Sequence, residues 1–444
     1  MSDAASPANS ANVVAEVIDN GEVSAQQLLV VGLCLFFNML DGFDITAMAV
    51  VASSVAAELQ LTADRLGWIF SFALAGMVAG AMFLAPVSDI IGRRKLIILS
   101  VCLVGASILL TANAHSLAAF IALRFISGMG AGAMLASQAT LAAEYSPEKY
   151  RAASVAVVTS GYPMGAMMTS VIASVIMPDF GWRGMFWFGG ALTLTMALVA
   201  WLLIPESLKY LFERRPQGAL ERVNRILTKL RKPPLAEMPA VVKARDKDSS
   251  FIEVMLKLLA PEHRIKTITL WLAFFLCIST LYFLMSWIPK LMEDSGYAAA
   301  IGRDAFFNFN LGGVTGIYLM AFLSTRWKLS SLIFLMAFSS AIGMVVFAYA
   351  PNNLTLLMGL ILLIGILQQG GFTGLYAAAS KVYPTEIRST GIGWAIGLSR
   401  TGAVAAPAIA GYLIVAGFDM SANFVFFAVP MAIGGFIAYQ LNIR

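Results

Sequence analysis

The sequence predicts an all-α membrane protein of twelve transmembrane helices arranged as two six-helix bundles. Composition, the length of the apolar runs and an internal repeat lead there. Of 444 residues, 59% are hydrophobic and 12% charged, and the mean hydropathy is +0.79, whereas a soluble domain is about one quarter charged. Backbone groups left unsatisfied in hydrocarbon are too costly, so segments of about 20 apolar residues must be helices, not the shorter strands of a barrel. Pro147-Glu148-Lys149-Tyr150-Arg151 recurs as Pro384-Thr385-Glu386-Ile387-Arg388, an offset of 237 residues (384 minus 147). The same offset carries Gly184 onto Ser421 and brings Ser88-Asp89 within a residue of Ser324-Thr325, the pattern of a duplicated transporter bundle.

In chain order, residues 1–26 are polar, lack Lys and Arg, and read as a cytoplasmic N-terminal tail without a cleavable signal. The first bundle occupies 27–204, with spans at 27–51, 66–88, 95–113, 117–140, 152–177 and 184–204. Residues 205–266, charged and broken by Pro233, Pro234 and Pro239, read as a cytoplasmic linker with short amphipathic helices, one near Leu220 to Leu230. The second bundle occupies 267–441, with spans at 267–289, 304–325, 330–350, 354–380, 388–414 and 421–441. Loops on the linker side carry Arg93, Arg94, Lys95, Lys149, Arg151, Arg326, Lys328, Lys381 and Arg388, and the other side only Arg65, Arg183, Lys290 and Arg303. The positive-inside bias therefore puts both termini in the cytoplasm. It also explains the net charge of +5 without a nucleic-acid partner.

The first span holds the most informative segment, Asp41-Gly42-Phe43-Asp44, midway along an apolar run from Leu28 to Leu59. Each ionised carboxylate at the bilayer centre costs roughly 2.5–3.5 kcal/mol, so the pair needs a wet or charge-compensated cavity. A spacing of three points both acids to one helix face. Between spans two and three, Ser88-Asp89-Ile90-Ile91-Gly92-Arg93-Arg94-Lys95 combines an acid at a helix end, a glycine turn and adjacent arginines. Such a charge cluster can latch two bundles in one state and release them in the other. The fourth span carries Arg124 about two turns from its outer end, followed by Ser127-Gly128-Met129-Gly130-Ala131-Gly132. Arginine keeps its charge, so Arg124 requires an anion or a wet cavity, and glycines four apart let helices approach closely.

The Ser88 to Lys95 loop and the Arg124 segment resemble motifs of the major facilitator superfamily. Within it, Asp41 to Asp44, Pro205-Glu206-Ser207-Leu208, and Gly397-Leu398-Ser399-Arg400-Thr401-Gly402-Ala403 with Pro407 resemble the aromatic acid/proton symporters, permeases for benzoate, hydroxybenzoates and protocatechuate. The resemblance spans nearly the whole chain. It implies that the acids of the first span, the arginine of the fourth and the acid at its inner end are needed for transport, here Asp41, Asp44, Arg124 and Glu144. The second-half counterpart of the signature loop is reduced to Thr325-Arg326-Trp327-Lys328 without an acid. Pro205-Glu206-Ser207 also occurs in sugar porters.

A carboxylate substrate calls for an arginine fork and apolar walls. Arg400, midway along span eleven, is the expected clamp; Arg124 is the second candidate and the charge partner of the acids. Asp41 and Asp44, with Arg124, are the candidates for proton coupling, Asp41 favoured. Phe43, Tyr162, Tyr282, Trp287, Gln368, Phe372, Tyr376 and Trp394 are candidates for the pocket, and Asp89, Gly92, Arg93, Arg94, Glu144, Arg151 and Arg388 for gating. Cys34, Cys102 and Cys277 lie in apolar spans and act as small hydrophobes. His115 and His263 fall in loops. No P-loop, metal-ligand cluster or nucleophilic triad is visible, so no catalytic or metal residue is assigned, and no cofactor is expected besides the proton gradient. The expectation is a non-enzymatic symporter importing an aromatic carboxylate across a bacterial inner membrane, as a monomer. Rival readings are proton-coupled uptake of muconate, nicotinate or a sugar acid, drug/proton antiport, and a sensor of aromatic acids without transport.

Overall fold

The computed structural model describes residues 18, 23–239, 258–383 and 385–443. Among them no strand occurs, and eleven helices are long and apolar enough to cross a membrane. Most of the tail 1–26 and part of the 205–266 linker lie outside the described residues.

The first half opens with α1 (Ala25–Leu59), started by a capping box in which Ser24 and Gln27 satisfy each other's backbone. It continues with α2 (Ala63–Ile91), α3 (Arg93–Thr111) and α4 (Leu117–Glu144). Helix then covers Glu148–Leu203 on both sides of a kink at Gly181, whose φ +60 and ψ −165 are non-helical. At 1.5 Å per residue, 56 residues reach about 84 Å, against a hydrocarbon core of about 30 Å. The stretch is therefore two crossings joined by an elbow, α5 (148–180) and α6 (182–203), which restores the expected count of twelve. The short α7 (Leu208–Arg214) and α8 (Ala219–Lys229) follow. The apolar stripe of α8, Val223, Ile226 and Leu227, joins Leu211 and Phe212 of α7 in one core with Val30, Leu33, Ile97 and Leu141. The linker helices are thus docked under the first half.

The second half comprises α9 (Arg264–Asp294), α10 (Ala299–Leu323), α11 (Leu329–Ala348), α12 (Leu354–Val382), α13 (Thr385–Val415) and α14 (Met420–Gln440). Several helices outrun the predicted spans, α1 by eight residues at its C-terminal end, since hydropathy marks lipid contact and not the last helical hydrogen bond.

Backbone proximity builds each half. A Cβ on Gly76 or Gly80 of α2 would strike the carbonyls of Phe125 or Met129, and one on Gly128 or Gly132 of α4 those of Ala73 or Met77. The two helices therefore mesh backbone to backbone, the close approach that small residues permit. The halves meet chiefly through α2 with α13, α5 with α10, and α1 with α9. Away from the linker, at the far face, a Cβ on Gly67 would lie 2.7 Å from the Pro407 carbonyl. There Trp68 Nε1 donates to Tyr412 Oη at 3.0 Å, and Phe70 meets Trp287 edge-on at 5.4 Å. These contacts close the far face.

Candidate functional site: a charged chamber between the halves

Asp41 and Asp44 lie one turn apart on α1 and are both 1% exposed, yet their surroundings differ. Arg124 Nη1 donates to Asp44 Oδ1 at 2.8 Å and to the Asp44 carbonyl at 3.2 Å, and the Ser127 hydroxyl donates to Asp44 Oδ2. Ser127 is three residues beyond Arg124, so one face of α4 supplies both donors. The guanidinium stacks over Phe186, 5.2 Å from the ring centroid. Asp44 and Arg124 thus form a buried pair inside the first half. Arg124, 1% exposed, spends Nη1 on Asp44, while its Nε and Nη2 have no hydrogen-bond partner among the described residues.

Asp41 makes no ion pair among the described residues, and its hydrogen-bonding neighbour is the side-chain amide of Gln138. Asp44, Gln138 of α4 and Arg400 of α13 lie within its electrostatic reach. Arg400 is half-buried and, among the described residues, makes no ion pair or hydrogen bond. Tyr162 of α5 is in electrostatic reach of Tyr282, Arg400 and Asp41, and Tyr376 of α12 in reach of Arg400 and Tyr282. Six predicted residues therefore split into a chamber of Asp41, Tyr162, Tyr282, Tyr376 and Arg400 and the Arg124 beside it. Tyr376 is 38% exposed.

Behind the chamber, Phe372 meets Tyr376 and Phe274 edge-on at 5.4 and 5.9 Å, and Trp394 stacks on Trp271 at 6.0 Å. Three predicted pocket residues are used for packing instead. Phe43 points at Phe188 and Gly189 of α6. Trp287 donates to the Pro407 carbonyl at 3.1 Å. Gln368 spends its amide inside the second half, donating to the Cys277 carbonyl at 3.1 Å and accepting from Ser340 at 3.4 Å.

At the linker face, Arg93 pairs with Glu144 at 3.0 Å and lies 3.9 Å from Asp89. Glu144 accepts from the Ser207 hydroxyl at 2.6 Å. Gly92, at φ +101, breaks α2 from α3, and the Glu206 carboxylate occupies the space its Cβ would need. Glu206 Oε1 accepts from the backbone N–H of Arg94 and of Ser207, both at 3.0 Å, capping the positive N-terminus of α3. The Arg94 side chain donates to the Trp201 carbonyl. Burial, with Glu144 and Glu206 alongside, pushes the Tyr145 hydroxyl well above its ordinary value, so it stays protonated and donates to the Glu206 carbonyl at 2.7 Å. Arg151 Nε donates to the Ala143 carbonyl at 3.2 Å, over the end of α4. The side chain of Arg388 lies outside the described residues. The contacts named here join α2, α3, α4, α5 and α6 with the linker, all in the first half, where sequence reasoning expected a latch between bundles. Sequence reasoning also gave no role to Ser127 or Gln138; the signal for Ser127 was its three-residue spacing from Arg124.

A twelve-span, twofold-repeated fold with opposed charges at mid-depth is the architecture of a secondary transporter. A family model described as Major Facilitator Superfamily matches residues 33–328 and 270–442, and the chain belongs to that superfamily. Within it, the chain is similar to the 4-hydroxybenzoate transporter PcaK of Pseudomonas putida, 30% identical over 398 residues that cover 88% of this chain and 87% of that protein. The benzoate transport protein of Acinetobacter baylyi is 26% identical, covering 97% and 93%, and the gallate transporter of Pseudomonas putida 28% identical, covering 94% and 92%. Among solved structures, a D-xylose-proton symporter superposes with a TM-score of 0.70 at 15% identity over 94% of this chain and 98% of that one. That likeness bears on the fold alone. The predicted superfamily, fold class and absence of enzymatic assignment agree with these findings.

Proposed function

We propose that the chain imports an aromatic monocarboxylate together with a proton, by alternating access, as a monomer in a bacterial inner membrane with both termini cytoplasmic. One observation carries this reading: Arg400, which makes no ion pair or hydrogen bond among the described residues, lies within electrostatic reach of the buried Asp41. The guanidinium fork suits both oxygens of a carboxylate, and Tyr162, Tyr282, Tyr376 and Phe372 supply ring surfaces for an aromatic body. The relatives named above transport such acids by their names, which supports the same substrate class here. The basic residues of the linker face support its cytoplasmic placement.

Charge balance gives the coupling. Two carboxylates and two guanidiniums cancel, a bound substrate leaves one negative charge in excess, and a proton on Asp41 removes it. Without that proton the loaded carrier would move an uncompensated charge through hydrocarbon, at roughly 2.5–3.5 kcal/mol. The stoichiometry is therefore one proton per monocarboxylate. Residues 27–204, with the docked linker helices, and 267–441 act as the two rocking bodies. Uptake into proteoliposomes of benzoate, hydroxybenzoates, protocatechuate, gentisate, nicotinate, muconate and a sugar acid tests this reading. Accumulation of a ring acid only under an inward proton gradient is the expected result. Binding without accumulation would make the chain a sensor, and inactivity toward the whole panel would return the reading to export.

A further inference from the structure

A row of cations on α8 is left without partners. Arg222, Arg225 and Lys229 of that helix and Arg231 just beyond it are exposed, and Lys232 is half-buried. None of the five side chains makes an ion pair or hydrogen bond among the described residues, whereas nearby Lys209 pairs with Glu213 at 3.9 Å and Arg214 and Arg215 donate to backbone carbonyls. Glu221 stands four residues before Arg225, the spacing of a helical ion pair, and none forms there. At about 100° per residue, Arg222, Arg225 and Lys229 fall in one line, about 120° round the helix from the apolar stripe of Val223, Ile226 and Leu227. That stripe shares a core with Val30 and Leu33 of α1 and Ile97 of α3, all within the first three turns of helices that begin at Ala25 and Arg93. A helix is about 10–12 Å across, and the headgroup layer is about 5–8 Å deep on each side of the hydrocarbon. Docked beneath those turns, α8 lies at headgroup depth, and with its stripe turned to the bundle the cationic line is turned along the membrane plane.

We propose that Arg222, Arg225 and Lys229, with Arg231 and Lys232 at the end of the line, bind the phosphates of anionic phospholipids and tie the first half to the leaflet on the linker face. Charge and depth both select this partner. A phosphate diester is negative at neutral pH, the guanidinium fork fits two of its oxygens, and a basic cluster on a helix at the membrane surface attracts anionic lipid. A zwitterionic headgroup brings its own ammonium and would leave the five cations uncompensated. A soluble acidic partner would reach a line turned along the membrane only past the headgroups. The transported substrate plays no part in this contact, so the tether and the transport reading stand or fall separately.

The test uses the full-length protein in neutral detergent, titrated with phosphatidylglycerol, phosphatidylcholine or glycerol 3-phosphate, with bound lipid read by native mass spectrometry and stability by melting temperature. Wild type is expected to retain phosphatidylglycerol in preference to phosphatidylcholine and to melt higher with it, whereas glycerol 3-phosphate at the same concentration should have no effect. Arg222→Gln, Arg225→Gln and Lys229→Gln should each weaken phosphatidylglycerol binding about fivefold, and the triple variant about a hundredfold. Rising salt should weaken the wild type more than the triple variant. With no partners to lose, the variants should melt as wild type does in the absence of lipid. Equal retention by wild type and the triple variant overturns the tether. So does a wild type without preference for the anionic lipid, a result that needs no variant. Protection by glycerol 3-phosphate equal to that by the lipid would also overturn it and leave the line to a soluble anion.

Discussion

Asp41 and Asp44 sit three residues apart with equal burial, and their partners give them different work. Asp44→Ala would strand Arg124 as a buried, uncompensated charge, so the melting temperature of the solubilised protein should fall, by an amount corresponding to about 3–5 kcal/mol. Asp41→Asn keeps the shape of the side chain and a carbonyl oxygen for Gln138 while removing a buried charge; thermal stability should hold or rise, gradient-driven accumulation should vanish, and substrate exchange should persist. Accumulation retained in that variant would take Asp41 out of the proton path. Arg400→Lys keeps the charge and loses the fork; with about 1.5–3 kcal/mol per hydrogen bond to a charged group, KM should rise about ten- to a hundredfold. The acids, Arg124 and Arg400 were legible because charges in apolar spans stand out. Which acid pairs with Arg124 was not, since that depends on how α4 lies against α1. Gln138 and Gln368 look alike in sequence, and only the packed structure shows that Gln368 is spent on Cys277 while Gln138 turns to Asp41.

At the level of elements, the glycines of α2 and α4 set an interhelical distance that no other side chain allows. Gly132→Val would push its branch into the Met77 carbonyl, and a sharp loss of monodisperse protein in size-exclusion chromatography is expected; wild-type yield would show that the backbones do not mesh there. The small-residue spacing announced this contact before the structure did. Helix ends were harder, because an apolar run stops where lipid stops, whereas α1 and α9 continue to Leu59 and Asp294. The loop expected between 177 and 184 is very short for a related reason: Pro178 and Gly181 signal a break, and a kink at Gly181, at positive φ, is all that separates the two helices.

For the whole molecule, the far face is held shut by α2 against α13, where Gly67 leaves 2.7 Å between its Cβ position and the Pro407 carbonyl. Gly67→Leu should wedge that seam open. In a chain whose three cysteines are replaced by alanine, Tyr162→Cys should react with an impermeant thiol reagent added from outside only when Gly67→Leu is also present; equal labelling in both backgrounds would mean that the seam does not control access. The division into two halves was legible from the 237-residue repeat. The inner charge cluster was legible in its members but not in what it fastens, because Glu206 reaches Gly92 and Arg94 only through the fold of the linker. The elbow at Gly181 bears on how these parts move together. Its backbone angles, φ +60 and ψ −165, belong to glycine almost alone, and no slack loop separates the arms on either side. One arm touches the opposite half, where the Ser160 and Tyr318 hydroxyls lie 3.3 Å apart; the other descends to Trp201 and Glu206. Such a joint works as a crank: a push on α5 by the second half arrives, undamped, at the carboxylate that seats the start of α3.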